Sequence, residues 1–485
     1  MNHADETESV SANLGFWDTV SIIVGIVVGV AIFKSPQVIF NNVNGPWQLM
    51  AVWVLGGLLV FVGALCYAEL ATTYPRSGGD YVYLTRAYGS WVGFLFGWGQ
   101  LVVIMTGTGI GAMAFAFSDY SIALWNLDPS GNIVDRERAE FVASRVTETW
   151  GIGFAVGVVV FLSFVNLLGV VLGKTIQNIL TVAKIVSVLG IIVVGLICDG
   201  SGSLQVVAKS DANFGVAMIL VLYAYGGWNN VAYIAAEVRD PQRNIPKALL
   251  FGIGGITLIY LLVNAAYMFG LGFDGTRDSG APAAKLLETM LGDWGSKSMS
   301  LLVMVSALGA VNGLIFTGSR IYASLGEDHR MFAVLGRWHP KIGVPVWSIL
   351  SQAVVAIFLI IAVGTPTGRN IIDGMLQGIG IKTLSWDQYF GGFDTLVAST
   401  APVFWTFFLL TGISLFVLRW KDRDIERPFQ VPFYPVIPII FCLTSVYMLY
   451  CSIIYAKTLS LLGIVPLLLG VPLYFISRQM TVSAN

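Results

Sequence analysis

The sequence predicts an all-α integral membrane protein with twelve transmembrane helices, two of them broken. Three observations lead there. Of 485 residues, 56% are hydrophobic and 11% charged, with a mean hydropathy of +0.77, far from soluble averages. Apolar runs of span length recur along the whole chain and leave no room for a soluble domain. Two of these runs, Val24–Phe33 and Tyr223–Asn230, are interrupted by glycines where a continuous helix would normally hide its backbone.

Taken in order, residues 1–14 form a polar tail without a basic n-region or a small-residue cleavage site, so it reads as retained and not as a signal peptide. Ten apolar runs follow at 15–40, 47–72, 91–117, 150–171, 176–198, 214–236, 248–272, 299–322, 346–364 and 393–418. Two more, at 434–455 and 461–478, precede a short tail at 479–485. The longest loops on one side fall at 118–149, 273–298 and 365–392, and Pro282–Glu288 in the second is expected to form a short interfacial helix. Arginine and lysine concentrate on the other side, at Arg76, Arg86, Lys174, Arg239, Arg243, Arg320 and the 419–427 run. That asymmetry places both termini in the cytoplasm. If spans one and six are equivalent, 15–198 and 214–418 are two five-helix units. Five is odd, so the second unit enters from the opposite side and the repeat is inverted; 434–478 adds two extra helices.

The breaks carry the functional argument. In lipid an unpaired N–H or C=O costs several kcal/mol, so broken helices persist only around a protein-lined cavity. Paired interruptions in matching halves point to a transporter's substrate site. Gly25 and Gly29 also fit the small-xxx-small spacing of helix packing, and for the first segment the two readings stand level. Gly226-Gly227, flanked by Tyr223, Tyr225, Trp228 and Asn229, favours a site. Asn229 either bonds a ligand at the break or caps the second half-helix.

Other classes find little support. A net charge of −1 argues against nucleic acid as a partner. Cys66, Cys198, Cys442 and Cys451 lie in or beside apolar runs without metal-site spacing. Of three histidines, His3 is in the tail, and His329 and His339 share one loop. No metal or cofactor is expected, no span carries a paired acid and base, and the chain reads as a transporter and not an enzyme. Lys184 is the sharpest single residue, because an ionisable group deep inside a span is costly and usually functional.

Several motifs in order resemble the amino acid–polyamine–organocation superfamily, in its L-type amino-acid transporter-like branch. Gly29-Val30-Ala31-Ile32-Phe33-Lys34-Ser35-Pro36 is similar to the family's G-S-G-I-F-x-x-P. Tyr67-Ala68-Glu69-Leu70 with Pro75-Arg76-Ser77-Gly78-Gly79-Asp80-Tyr81 resembles its Y-x-E-L…P-R-S-G-G-E-Y. Gln177-Asn178…Lys184, Ala224-Tyr225-Gly226-Gly227-Trp228-Asn229 with Glu237, Val311-Asn312-Gly313…Arg320 and Glu426-Arg427-Pro428 complete the set. The resemblance covers nearly the whole chain and implies the LeuT-type 5+5 inverted-repeat fold with helices 1 and 6 broken.

It further implies that backbone at Gly29, Val30 and Ala31 holds a substrate carboxylate, and that carbonyls of Val27, Tyr223 and Gly226, beside Ala224, hold its ammonium. Tyr223 and Trp405 would gate the pathway. Lys184 would take the place of a sodium ion, either as a fixed charge or as a proton carrier. Here Val30 and Ala31 replace the family's Ser and second Gly, which removes a hydroxyl and adds bulk but keeps the amides. Glu69, Glu237 and Arg320 are expected to cluster as an inner gate. Lys34 is expected at the outer end of span one as an interfacial anchor.

The expected activity is sodium-independent amino-acid transport by alternating access, as an exchanger or proton symporter. A polyamine or amine antiporter of the same fold and a non-transporting nutrient sensor are the alternatives. L-type relatives bond a single-span glycoprotein through a cysteine between spans three and four. This chain has none there, so no disulfide-linked heavy chain is expected. A prokaryotic inner membrane is the expected location.

Overall fold

A computed structural model describes residues 12–125, 136–197, 212–279, 281–292, 294–378, 380, 384, 386 and 392–482. Most of both expected tails, residues 1–11 and 483–485, lies outside the described residues, as does Cys198. The described chain is helical apart from turns and a single bridge between Leu14 and Val238. Among the described residues, ten helices are long and apolar enough to cross a membrane. The difference from twelve has two physical causes. The sixth span is split into Phe214–Ala224 and a 3₁₀ segment, Trp228–Glu237, and neither half is long enough alone. The last candidate, Val436–Met480, holds 45 residues, about 68 Å if straight, more than twice the hydrocarbon core.

That last segment folds back on itself. The chain turns at Lys457, whose φ is +47°, between helices Val436–Ala456 and Leu461–Leu468. Its start lies beside Arg419, which stacks on Tyr434, and its end beside Ser90, which bonds Tyr474. Both neighbours belong to one end of the bundle, because Lys421 donates to the Arg86 carbonyl. Spans eleven and twelve therefore form a hairpin.

Boundaries move elsewhere for local reasons. Span four ends at Leu167 and span five begins at Val170, earlier than expected, because Gly169 adopts φ +130° and turns the chain there. The interfacial helix is present as Pro282–Leu291. Span three, Ser90–Leu124, contains a π-helical stretch over Gln100–Gly111 that no sequence signal announced. Thr106 Oγ1 bonds the Leu101 carbonyl five residues back, at 2.7 Å.

The first break follows from a tight turn. Helix Phe16–Val27 ends at Val28 (φ −71°, ψ +76°), an inverse γ-turn in which the Gly29 amide donates to the Val27 carbonyl at 2.7 Å. A short helical turn, Ala31–Lys34, then leads into Pro36–Asn41. At the second break Gly227 takes φ +106°, where a side chain would be strained and would also meet Ile26 Cγ2 at 2.5 Å. The two breaks thus pack against each other.

Gly25 and Gly29 now separate. A Cβ on Gly25 would lie 2.2 Å from Gln177 Nε2 and 2.5 Å from Thr181 Oγ1, so this glycine admits span five. Beside Gly29 nothing comes nearer than the Ile26 carbonyl at 3.5 Å. Gly25→Ala is therefore expected to destabilise the detergent-solubilised protein by about 1–3 kcal/mol, as overpacking does. Gly254→Ala, where a Cβ meets nothing within 4 Å, should leave the melting temperature unchanged or slightly raised. Equal melting of the two variants would contradict this packing.

Candidate functional site

Both breaks open onto one cavity of about 190 Å³, which is lined by Val27, Gly29, Val30, Ala31, Tyr223, Ala224, Gly226, Asn229 and Trp405, among others. A water needs 10–15 Å³, so the space takes roughly a dozen water-sized groups. Spans three, eight, ten and eleven close it with Gln100, Met105, Leu314, Phe404, Phe408 and Phe441. No Asp, Glu, Lys, Arg or His is among the described residues lining it.

Backbone bookkeeping shows what the cavity offers. The amides of Val30, Ala31 and Ile32 have no acceptor among the described residues, and neither the Ile26 nor the Gly226 carbonyl receives a donor. The Gly29 amide, expected to face a carboxylate, is already spent on Val27. The Val27 carbonyl also lies 3.0 Å from Tyr260 Oη, so both its lone pairs have claimants. Tyr223 is partly committed too, because its carbonyl accepts from the Gly226 amide at 2.9 Å. The free groups are thus shifted by a residue from those inferred by resemblance.

Side chains from the scaffold take up the rest. Tyr260, on span seven, stands 3.0 Å from the Val27 carbonyl and 2.9 Å from that of Ala224, so one hydroxyl ties the two breaks together. Its single proton serves one carbonyl at a time. Ser306 donates to the Val28 carbonyl at 3.1 Å. Lys184 is fully buried, and its Nζ donates to the Gly25 carbonyl at 2.6 Å. A Cβ on Gly309 of span eight would be 3.5 Å from that nitrogen, so the expected neighbours, span one and span eight, flank it. Sequence reasoning missed Tyr260, which no motif marked. It also gave no role to Asn312, whose Nδ2 donates to Gln177 Oε1 at 2.9 Å behind the first break.

Tyr223 and Trp405 both face the cavity. Trp405 sits edge-on to Phe404 and Phe408, with centroids 5.2 and 5.4 Å away. Lys34 lies at the far end of span one, 3.7 Å from Asp119 and over the Phe393 ring.

The three residues expected to form one inner cluster do not. Glu237 and Arg320 make a bidentate pair at 2.6 and 2.9 Å that is buried almost completely, not a surface contact. Glu69 instead meets Arg419 at 2.5 and 2.7 Å, Arg427 at 3.5 Å and the Val431 amide at 2.7 Å. Span two touches the sixth span through Tyr67 and Trp228, but Glu69 turns to the segment that follows span ten. The Glu237–Arg320 pair is reinforced by the N-terminal segment. Leu14 exchanges backbone bonds with Glu237 and Arg239, and Lys174 reaches the Asn13 carbonyl and Asp18. Where Arg86 meets Asp422 outside the spans, that hydrogen bond holds the carboxyl below its ordinary range.

A membrane-spanning helical bundle with a cavity between two unwound helices is the architecture of a membrane transporter, not of an enzyme. A family model described as amino acid permease matches residues 14–473, and the chain belongs to that family. It is 31% identical over 484 residues to the human b(0,+)-type amino acid transporter 1, covering 97% of this chain and 89% of that protein. Identity to the mouse large neutral amino acids transporter small subunit 2 is 28%, covering 96% and 80%. To the serine/threonine exchanger SteT of Bacillus subtilis (strain 168) it is 26%, covering 97% and 98%.

The buried pair gives a stability test. Arg320→Met leaves the Glu237 carboxylate buried and unpaired, and should cost about 3–5 kcal/mol. Adding Glu237→Gln should recover most of that loss in thermal melts. Equal melting of the single and double variants would refute burial of the pair.

Proposed function

We propose that this protein is a sodium-independent secondary transporter of neutral amino acids, working by alternating access as an exchanger or proton-coupled symporter. One observation carries the reading: the unpaired amides of Val30 and Ala31 and the unpaired carbonyls of Ile26 and Gly226 belong to residues that line one cavity with no charged side chain among its described lining. A zwitterion brings one anion and one cation into mid-membrane, and each needs a partner once desolvated. The amides at Val30, Ala31 and Ile32 suit the carboxylate, the carbonyls of Ile26 and Gly226 suit the ammonium, and Asn229 adds a polar contact. A charged side chain would find no counter-ion among the lining residues, which is why the substrate is read as neutral. Tyr223 and Trp405 are assigned as gates. In this reading Glu237–Arg320 opens when the substrate leaves toward the N-terminal end.

Spans one to five and six to ten are taken as inverted units, with both termini cytoplasmic in a prokaryotic inner membrane. The relative named a small subunit belongs to a larger assembly. Here the described cysteines, Cys66, Cys442 and Cys451, lie within helices crossing the bilayer, so a disulfide-linked partner is not part of the reading.

Lys184 carries the sodium claim, because its ammonium already occupies the span-one carbonyl where a cation would bind. Proteoliposomes should exchange radiolabelled L-alanine equally in sodium and choline. Lys184→Ala should lower the rate by about tenfold or more, the equivalent of at least about 1.4 kcal/mol. Strict sodium dependence would overturn the assignment. Competition by amines without carboxylates, and not by amino acids, would replace the substrate class.

A further inference from the structure

Beneath the cavity, on the side of the N-terminal seal, lies a carboxylate that the transport reading leaves unused. Asp80 opens the short helix Asp80–Tyr88 between spans two and three and is 2% exposed. Its Oδ1 accepts from Tyr67 Oη at 2.5 Å and from Thr411 Oγ1 at 2.6 Å, on spans two and ten. Its Oδ2 is buried without a hydrogen-bond partner. Tyr233 is held next to it, because its carbonyl accepts from the Gly78 amide at 2.9 Å and its ring lies against Gly79, and its hydroxyl accepts from Asn229 Nδ2 at 3.0 Å. Asn229 and Tyr233 both line the cavity. Asn229, Tyr233 and Asp80 therefore follow one another away from the cavity, with the open Oδ2 as the one link not closed by a hydrogen bond in this state.

Among the described residues, its surroundings hold no counter-charge. Span two faces Asp80 with Tyr67; Glu69, on the same span, is spent on Arg419 and Arg427. Span ten offers Thr411. The unwound sixth span offers Tyr233, while Glu237 is locked to Arg320. On its own helix, Tyr81 bonds Asp328, Arg86 bonds Asp422, and the Tyr83 hydroxyl is buried without a partner. Span eight adds Tyr322, bonded to the Gln100 carbonyl, and span three has no ionisable side chain over Ser90–Gly111. An ionised carboxylate buried among hydroxyls is costly, and burial raises the Asp80 carboxyl to about 6 despite the bonds it accepts.

We propose that Asp80 is the proton-binding site of this transporter, with Tyr233 passing its protonation state to Asn229 at the substrate cavity. The inference rests on the transport reading above. When Asp80 is ionised, Tyr67 and Thr411 donate to Oδ1, Oδ2 stays open, and the Tyr233 hydroxyl accepts from the Asn229 amide N–H. When a proton from water binds Oδ2, the new O–H donates to the Tyr233 oxygen. The tyrosine hydrogen then turns to Asn229, whose carbonyl end must accept it. One proton thus reverses the polarity of the relay and the dipole that Asn229 offers the substrate. Opening at the N-terminal end exposes Asp80 to water, where the O–H bond breaks and the proton leaves.

The test uses the full chain in proteoliposomes with radiolabelled L-alanine, comparing wild type, Asp80→Asn and Asp80→Glu. Exchange and uphill accumulation driven by a pH gradient are measured separately, with an entrapped pH dye reporting proton entry. Wild type should accumulate alanine at least fivefold under an inward proton gradient. Asp80→Asn imitates the protonated state and should keep exchange within about threefold at every pH between 5 and 8, while accumulation and the dye signal vanish. Asp80→Glu should retain both with a displaced pH midpoint, which separates proton binding from folding. Wild-type exchange without gradient-driven accumulation, or accumulation persisting in Asp80→Asn, would overturn the proposal and leave the transport reading standing. Absence of any wild-type exchange would sink the transport reading itself.

Discussion

Every peptide group buried in a bilayer must find a partner, and the rest of this structure depends on how that requirement is met at two places. An unbroken helix meets it internally. Here span one stops at Val27 and span six at Ala224, and the exposed groups are divided between protein and cavity. Tyr260, Ser306 and Lys184 quieten the carbonyls of Val27, Ala224, Val28 and Gly25, on the side facing the scaffold. What remains unpaired is a patch of amides and a few carbonyls directed at one space. In the proposed reading, substrate recognition completes an unfinished hydrogen-bond inventory and needs no charged side chain there.

The scaffold around this patch is uneven in a way that suits gating. Toward the N-terminal end, buried ion pairs and the Leu14 bridge form a polar seal. Toward the Lys34 end, Lys34 and Asp119 lie 3.7 Å apart with side chains 33% and 53% exposed, while Arg277 is buried against Asp274 and the Phe40 and Val43 carbonyls. Buried pairs are poor sources of net stability, because desolvation offsets their attraction. They do make sharp two-state contacts, since a half-open pair is worse than either a closed or a hydrated one. That property serves a door better than a wall.

Much of this was legible in the sequence, and the reasons are physical. Apolar run length follows bilayer thickness, so the spans could be counted; glycines inside two runs marked the breaks, and Lys184 stood out as a charge in an apolar stretch. Other features left no local trace. The π-helical stretch of span three includes a Thr106 hydroxyl bonded to the Leu101 carbonyl, and a lone threonine in an apolar run gives no signal of it. Tyr260 is one aromatic in a helix full of apolar residues, and only its distance to two carbonyls shows its task. Glu69 and Glu237 look alike at the ends of their spans, yet span neighbours, invisible in one dimension, send them to different arginines. The one-residue shift of the free amides, from residues 29–31 to residues 30–32, reflects the γ-turn at Val28, which a motif match cannot resolve.

The central claim is that main-chain groups at the two breaks hold a zwitterion. An experimental structure of the protein in nanodiscs with bound L-alanine tests it most directly. The account requires the carboxylate within hydrogen-bond distance, about 2.7–3.2 Å, of the amides between Val30 and Ile32, with the ammonium against the carbonyls of Ile26 and Gly226. Alanine bound elsewhere, or both helices continuous through residues 27–31 and 224–228, would contradict it.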